Sequence, residues 1–242
     1  MLPIARSELI QIFRNRLVLV TMLIIPVASS AFYIYLHQAF PALREVVDLG
    51  AIAAVLVFLV VTMGLYTTSV TTLASRRQNL FLKRLRSTAA SDADILTGLL
   101  LPVIAVTLVQ VTVILTVLAV VGGTPDNVPL LAAAVVATMV MMAGLGLATA
   151  GVTNSPDHAQ VTTLPIMIGV LAVSGWVGFS GTEELTLLKR LLPGGSASEL
   201  VVNAWSGGVP VTDSLVLLAP TLAWVVVAVA AATRIFRWEP RR

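Results

Sequence analysis

Long apolar runs separated by short polar segments dominate the chain. Six runs stand out, at residues 17–36, 51–74, 95–121, 129–150, 161–180 and 215–235. A hydrocarbon layer about 30 Å thick is crossed by about 20 helical residues, so each run is long enough to span it. No Asp, Glu, Lys or Arg lies well inside any of the six. The pattern predicts an all-α integral membrane protein with six transmembrane helices. With no internal repeat or low-complexity tract, residues 1–242 read as one domain.

The segments between the runs are patterned as well. In residues 1–16, Leu2, Ala5, Leu9, Ile12 and Phe13 recur at helical spacing, with Ser7, Gln11 and Arg14 opposite. This predicts an amphipathic helix along the membrane surface, its arginines toward lipid phosphates. In the loop 75–94, Leu80, Phe81, Leu82 and Leu85 alternate with Arg77, Lys83, Arg84 and Arg86, which predicts a second, short amphipathic helix. Ser91 with Asp94 three residues on reads as a capping box opening the third span. The loop 181–213 is too apolar for a simple connector. Leu187, Leu188, Leu191 and Leu192 precede Pro193-Gly194-Gly195, and Ser196 with Glu199 suggests another capping box. Two short re-entrant helices are expected there, with Trp205 as an interfacial anchor.

Charge sets the expected orientation. Cytoplasmic segments of membrane proteins carry the excess of Lys and Arg. If the N-terminus is inside, all of the 15 basic residues except Arg44, Lys189 and Arg190 fall on the cytoplasmic side. Glu45, Asp48, Asp126, Glu183, Glu184, Glu199 and Asp213 fall outside. Both termini are therefore expected in the cytoplasm. The basic start and the small residues at 28–31 mimic a cleavable signal, but the first run is longer than a signal's apolar core, so retention is expected.

Composition agrees with a bilayer as the solvent. The chain is 57% apolar and 11% charged, where soluble domains are about half apolar and about a quarter charged. Its net charge of +3 comes from residues placed between apolar runs, which argues against nucleic acid as a partner. Lys83 and Lys189 are the only lysines; the arginine-rich bias hints at a bacterial source and hence an inner-membrane location.

Several chemistries are missing. With no cysteine, disulfides, thiolate metal sites and cysteine nucleophiles are excluded. The sequence has no His-Glu-x-x-His, no Gly-x-Ser-x-Gly and no Gly-x-x-x-x-Gly-Lys-Ser/Thr. His37 and His158 stand at opposite ends of the spans. Ion-coupled carriers bury ionisable groups at membrane depth, and here Gln110 is the nearest equivalent, read as a hydrogen bond between helices. The chain carries no catalytic, metal or cofactor site of its own, so any uphill transport needs an external engine. What the spans do carry is hydroxyls and soft side chains. These include Thr62, Tyr66 and Thr68 in the second span and Thr163, Met167 and Trp176 in the fifth. Such walls suit an amphipathic cargo, and equally suit helix packing.

The string Leu82-Lys83-Arg84-Leu85-Arg86-Ser87-Thr88, with Ser91 and then Ile95-Leu96 and Gly98-Leu99-Leu100, resembles the hallmark segment of type-2 ABC transporter permeases. Daunorubicin-resistance-like exporters are among these. Leu192-Pro193 leading into residues 196–205 resembles the segment before that family's last span. The chain departs from the family at Arg77-Gln78-Asn79, where an acidic residue and glycine are common, and at Thr88-Ala89, where Thr-Pro is common.

The resemblance implies an exporter of a drug, antibiotic or lipid. Two permease subunits, identical or not, would work with two ATP-binding-cassette ATPases that hold ATP and magnesium. It also implies that Arg77, Leu80, Phe81, Lys83, Arg84, Leu85 and Arg86 form the element coupled to the ATPase, and that the second and fifth spans line the route. Two other readings are an intramembrane lipid-modifying enzyme, with only Asp92, Asp94 and Asp157 as cytoplasmic carboxylates, and a passive membrane scaffold.

Overall fold

The computed structural model describes residues 2–40, 42, 47–88, 91–236 and 238, and every regular element among them is helical. Arg44, Glu45, Arg237, Arg241 and Arg242, on which part of the expected charge asymmetry rests, lie outside the described residues. In chain order the elements are α1 (Leu2–Arg14), α2 (residues 16–39), α3 (Leu49–Gln78), α4 (Phe81–Arg86), α5 (Asp92–Gly122), α6 (Val128–Val152), α7 (Pro156–Ser180), α8 (Thr186–Leu191), α9 (Gly195–Ser206) and α10 (Val211–Ile235). Six of them, α2, α3, α5, α6, α7 and α10, are long and apolar enough to cross a membrane.

The long helices begin where the sequence supplies a cap. A helix leaves its first N–H groups without partners, and a short polar side chain just before it can accept from them. Asp48 accepts from the Gly50 N–H to start α3, and Ser91 accepts from the Asp94 N–H to start α5. The Ser91 hydroxyl in turn donates to the Asp94 carboxylate at 2.6 Å, completing the expected polar pair. Asn127 caps α6 and Ser155 caps α7, each followed by a proline whose missing N–H costs nothing at that position.

Helix α3 runs through the middle of the bundle. It packs against α2, α5, α6, α7 and α9, while α10 lies mainly along α6. Its sequence explains the placement. Ile52, Ala53, Ala54, Leu56, Val57 and Phe58 are apolar around the whole helix, as a helix buried on all sides must be. Its most apolar stretch is 78% buried, against 22% for the corresponding stretches of α2 and α10, so the latter two are peripheral. Membrane helices gain little from hydrophobic burial against one another, so close contact depends on small residues. A side chain on Gly144 would stand 3.1 Å from Ala228, and one on Gly151 would reach the Ile235 backbone at 2.9 Å. Those positions let α6 and α10 approach.

Two wider, π-type turns interrupt the regular helices, at Val20–Ile24 in α2 and Val61–Thr67 in α3. In α3 the Thr67 and Thr68 hydroxyls donate to carbonyls five residues back, those of Thr62 and Met63. Part of the hydroxyl content of the second span is thus used to satisfy its own widened backbone.

The segment after α7 differs from expectation in two respects. Helix α9 begins after Gly194, whose left-handed φ of +92° turns the chain into it, and no side chain caps it. Ser196 pairs instead with Thr221 of α10 at 3.0 Å, and Glu199 accepts from Arg190, so the expected Ser196–Glu199 capping box does not form. Trp205 is buried at the end of α9, which packs onto α3 and α6, and is not an interfacial anchor. The apolarity of α9 reflects insertion between the helices, whereas Leu187, Leu188 and Leu191 of α8 stay exposed.

Candidate functional site

The loop joining α3 to α5 is held by a set of bonds that its basic residues make to other parts of the chain. Arg77, in the last turn of α3, is only 3% exposed, and its guanidinium donates to the Thr153 carbonyl just beyond α6. A cation at a helix C-terminus offsets the partial negative charge of the last carbonyls. Arg76 pairs at 2.7 Å with Glu8 of α1 and lies over the Phe81 ring at 5.3 Å. Arg86 pairs at 2.9 Å with Asp92 at the start of α5 and lies over the Trp238 ring at 4.8 Å. These three arginines place the loop, Arg77 from a buried position and Arg86 while still exposed.

Helix α4 starts abruptly because Leu80 adopts a left-handed φ of +56°. The helix then turns its apolar positions inward. Leu82 is fully buried, and Phe81 and Leu85 are half-buried against the bundle core. Leu80, Lys83 and Arg84 are exposed at helical spacing, with Leu80 47% accessible despite its size. Of the seven residues assigned to coupling from the sequence, those three therefore form the outward surface. Arg86 is exposed as well but held by Asp92, while Phe81, Leu85 and Arg77 stand behind as support.

The residues assigned to a pathway are divided differently. Thr62 and Tyr66 are wholly buried in α3, and the Tyr66 phenol lies 3.1 Å from the Thr149 hydroxyl of α6. Thr68 is buried, and Thr163 donates to the Ala159 carbonyl of its own helix. Met167 is half-buried and Trp176 is exposed. Val161, Ile168, Trp176 and Phe179 form an exposed face of α7, and Gly169 beside them has open space where a side chain would stand. Gln110 donates across to the Leu23 carbonyl of α2 at 3.4 Å, as the sequence suggested for a lone amide at this depth.

At the far end of the bundle a polar cluster ties α8 to its neighbours. Lys189 is 1% exposed, yet its ammonium donates to Ser180 at 2.9 Å and to the Gly181 carbonyl at 2.6 Å, closing the C-terminus of α7. It also lies 5.1 Å from the Trp176 ring. Arg190 grips Glu199 with two hydrogen bonds of 2.7 and 2.5 Å. A side chain on Gly195 would collide with the Lys189 carbonyl at 1.7 Å, so this turn accepts only glycine.

Two of the three carboxylates needed for an enzymatic reading are engaged by neighbouring side chains. Asp92 pairs with Arg86, Asp94 bonds Ser91, and Asp157 sits in the exposed first turn of α7. Among the described residues, no three His, Asp or Glu side chains come together as a metal site. Sequence reasoning missed Glu8 and Thr153. Glu8 lies four positions before Ile12, so the two share a helix face, and its position on that otherwise apolar stripe was the available signal.

A model of the ABC-2 type transporter family matches residues 3–178, from α1 nearly to the end of α7. No curated protein and no solved structure matches the chain.

Proposed function

This chain belongs to the ABC-2 type transporter family and is a membrane-spanning component of an ABC-type transporter that works with ATPase subunits; on that premise we propose that it is a permease subunit exporting an amphipathic or lipid-like compound. The cargo is a drug, an antibiotic or a lipid, and the membrane is the bacterial inner membrane. Two such permeases and two ATPases, which hold the ATP and magnesium, form the working unit, with both permease termini in the cytoplasm.

The observation that best supports this reading is the surface of α4. A motor below the membrane needs a rigid lever that is continuous with the spans. Leu80, Lys83 and Arg84 face outward from a helix that is paired with α5 through Arg86 and Asp92, and the end of α3 just before it is bonded to α1 and the α6–α7 turn. A groove on the ATPase with an apolar floor and acidic rim would receive that surface. Displacement of α4 would then move α3, the central helix, directly. The exposed face of α7 supplies the cargo-facing wall, with Trp176 on it, while Met167 lies on the opposite side of that helix and Thr62, Tyr66, Thr68 and Thr163 act through helix packing.

Transport by purified subunits in proteoliposomes tests this. The chain alone should move nothing. With its ATPase it should move cargo on ATP addition with the proton gradient collapsed. Proton-driven uptake by the chain alone would contradict the reading.

A further inference from the structure

An exposed tryptophan in an apolar wall is ordinarily a platform for cations, because the face of its ring is electron-rich. Trp176 on the exposed face of α7 is already engaged in that way. The Lys189 ammonium of α8 stands over its ring at 5.1 Å. Lys189 is only 1% exposed while Trp176 is 37% exposed, so the ammonium lies on the protein side of the ring and the open side faces away from it.

The charge of Lys189 is not cancelled where it sits. Its hydrogen-bond partners, the Ser180 hydroxyl and the Gly181 carbonyl, are neutral, and among the described residues no carboxylate pairs with it. The C-terminus of α7, which it closes, presents about half a unit of negative charge, less than the ammonium brings. Glu199 is committed to Arg190 through two hydrogen bonds, and Glu183 and Glu184 are exposed to water, which screens them. From Ala159 to Ser180, α7 itself carries no acidic or basic residue. The end of the exposed α7 face where Trp176 and Phe179 lie is thus a hydrocarbon surface with an unbalanced positive charge behind it. Apolar surroundings weaken the field of that charge far less than water does.

We propose that Lys189 makes this end of the α7 wall selective for amphiphiles bearing an anionic group, a carboxylate, sulfonate or phosphate. Trp176 and Phe179 receive the apolar part, and the ammonium attracts the anion across the ring without touching it. A cationic amphiphile meets the same charge as repulsion. The proposal rests on α7 bordering the cargo route and names the charge class of that cargo.

Tryptophan quenching tests this on the full-length chain in neutral phosphatidylcholine nanodiscs. Bromoundecanoate is compared with bromoundecyl-trimethylammonium at equal content in the bilayer, and the Trp176→Phe chain supplies the signal of the other tryptophans. The carboxylate should quench the Trp176 component at about one-tenth of the concentration that the ammonium requires. Lys189→Gln keeps a donor for Ser180 and Gly181 but removes the charge, and should abolish the difference between the probes. A loss of packing alone would change both probes together and leave their ratio standing. Equal quenching by the two probes, stronger quenching by the ammonium, or none by either in the unaltered chain would overturn the proposal, whether or not the variant folds. So would an anionic preference that persists in folded Lys189→Gln. Transport by Gly169→Leu reads the route separately. An anionic preference with unchanged Gly169→Leu transport would take α7 off the route, whereas altered transport without the preference would fault Lys189 alone.

Discussion

The Tyr66 phenol and the Thr149 hydroxyl lie 3.1 Å apart, joining α3 to α6 inside the bundle. Both groups are buried, so each is the other's main opportunity to hydrogen-bond. Hydrogen bonds between membrane helices contribute about 0.6 kcal/mol on average, so Tyr66→Phe should lower thermal stability only slightly. Tyr66→Ala removes a large side chain from a packed interior and should cost about 3–5 kcal/mol. Unfolding in detergent would measure both. A Tyr66→Ala chain as stable as the parent, with altered cargo preference, would return this residue to the pathway.

Gly195 and Gly169 make a contrasting pair. Gly195→Ala forces a methyl into the Lys189 carbonyl and should destabilise the α8–α9 turn by about 3 kcal/mol or more. Gly169→Leu meets open space on the exposed face of α7 and should leave folding unchanged. If that face borders the cargo route, the same substitution should alter transport. Unchanged transport of every tested cargo would remove α7 from the route.

Orientation is open to a direct check. Reporters inserted after Thr124 or Gly208 should read as external, and those after Asn79 or Asp157 as cytoplasmic. A cytoplasmic signal at Gly208 would refute the six-span topology.

Arg77→Met separates support from contact. The substitution leaves the Thr153 carbonyl without its buried charged donor, which should cost about 1–3 kcal/mol. Copurification with the ATPase should persist in the folded fraction, because Arg77 is not on the surface. Loss of copurification with unchanged thermal stability would make Arg77 a contact residue.

The sequence made the spans legible because a bilayer imposes a length and a polarity that few sequences meet by accident. The helix start at Ser91 could be read from local chemistry, whereas α7 begins at Pro156, ahead of the run expected from residue 161. What periodicity could not reveal was which side of α4 faces the protein. Leu80, Phe81, Leu82 and Leu85 look alike in sequence, yet Leu82 is buried and Leu80 is exposed. Leu85→Asp would therefore test folding of the loop more than docking. The partners of Arg76 and Arg77 were equally hidden, since Glu8 and Thr153 are distant in sequence and meet them only when α1 and α6 pack beside α3. At Ser196 and Glu199 the local pattern was misleading: cross-helix bonds to Thr221 and Arg190 took the groups a capping box would have used.

The most direct test is the ATPase response to charge reversal on the outward face of α4. Lys83→Glu with Arg84→Glu changes only exposed side chains, so the protein should insert and keep its thermal stability. Cargo-stimulated ATP hydrolysis by the reconstituted complex should fall to the rate of the ATPase alone, and Leu80→Asp should do the same. Normal stimulation in both stably folded variants would contradict coupling through α4.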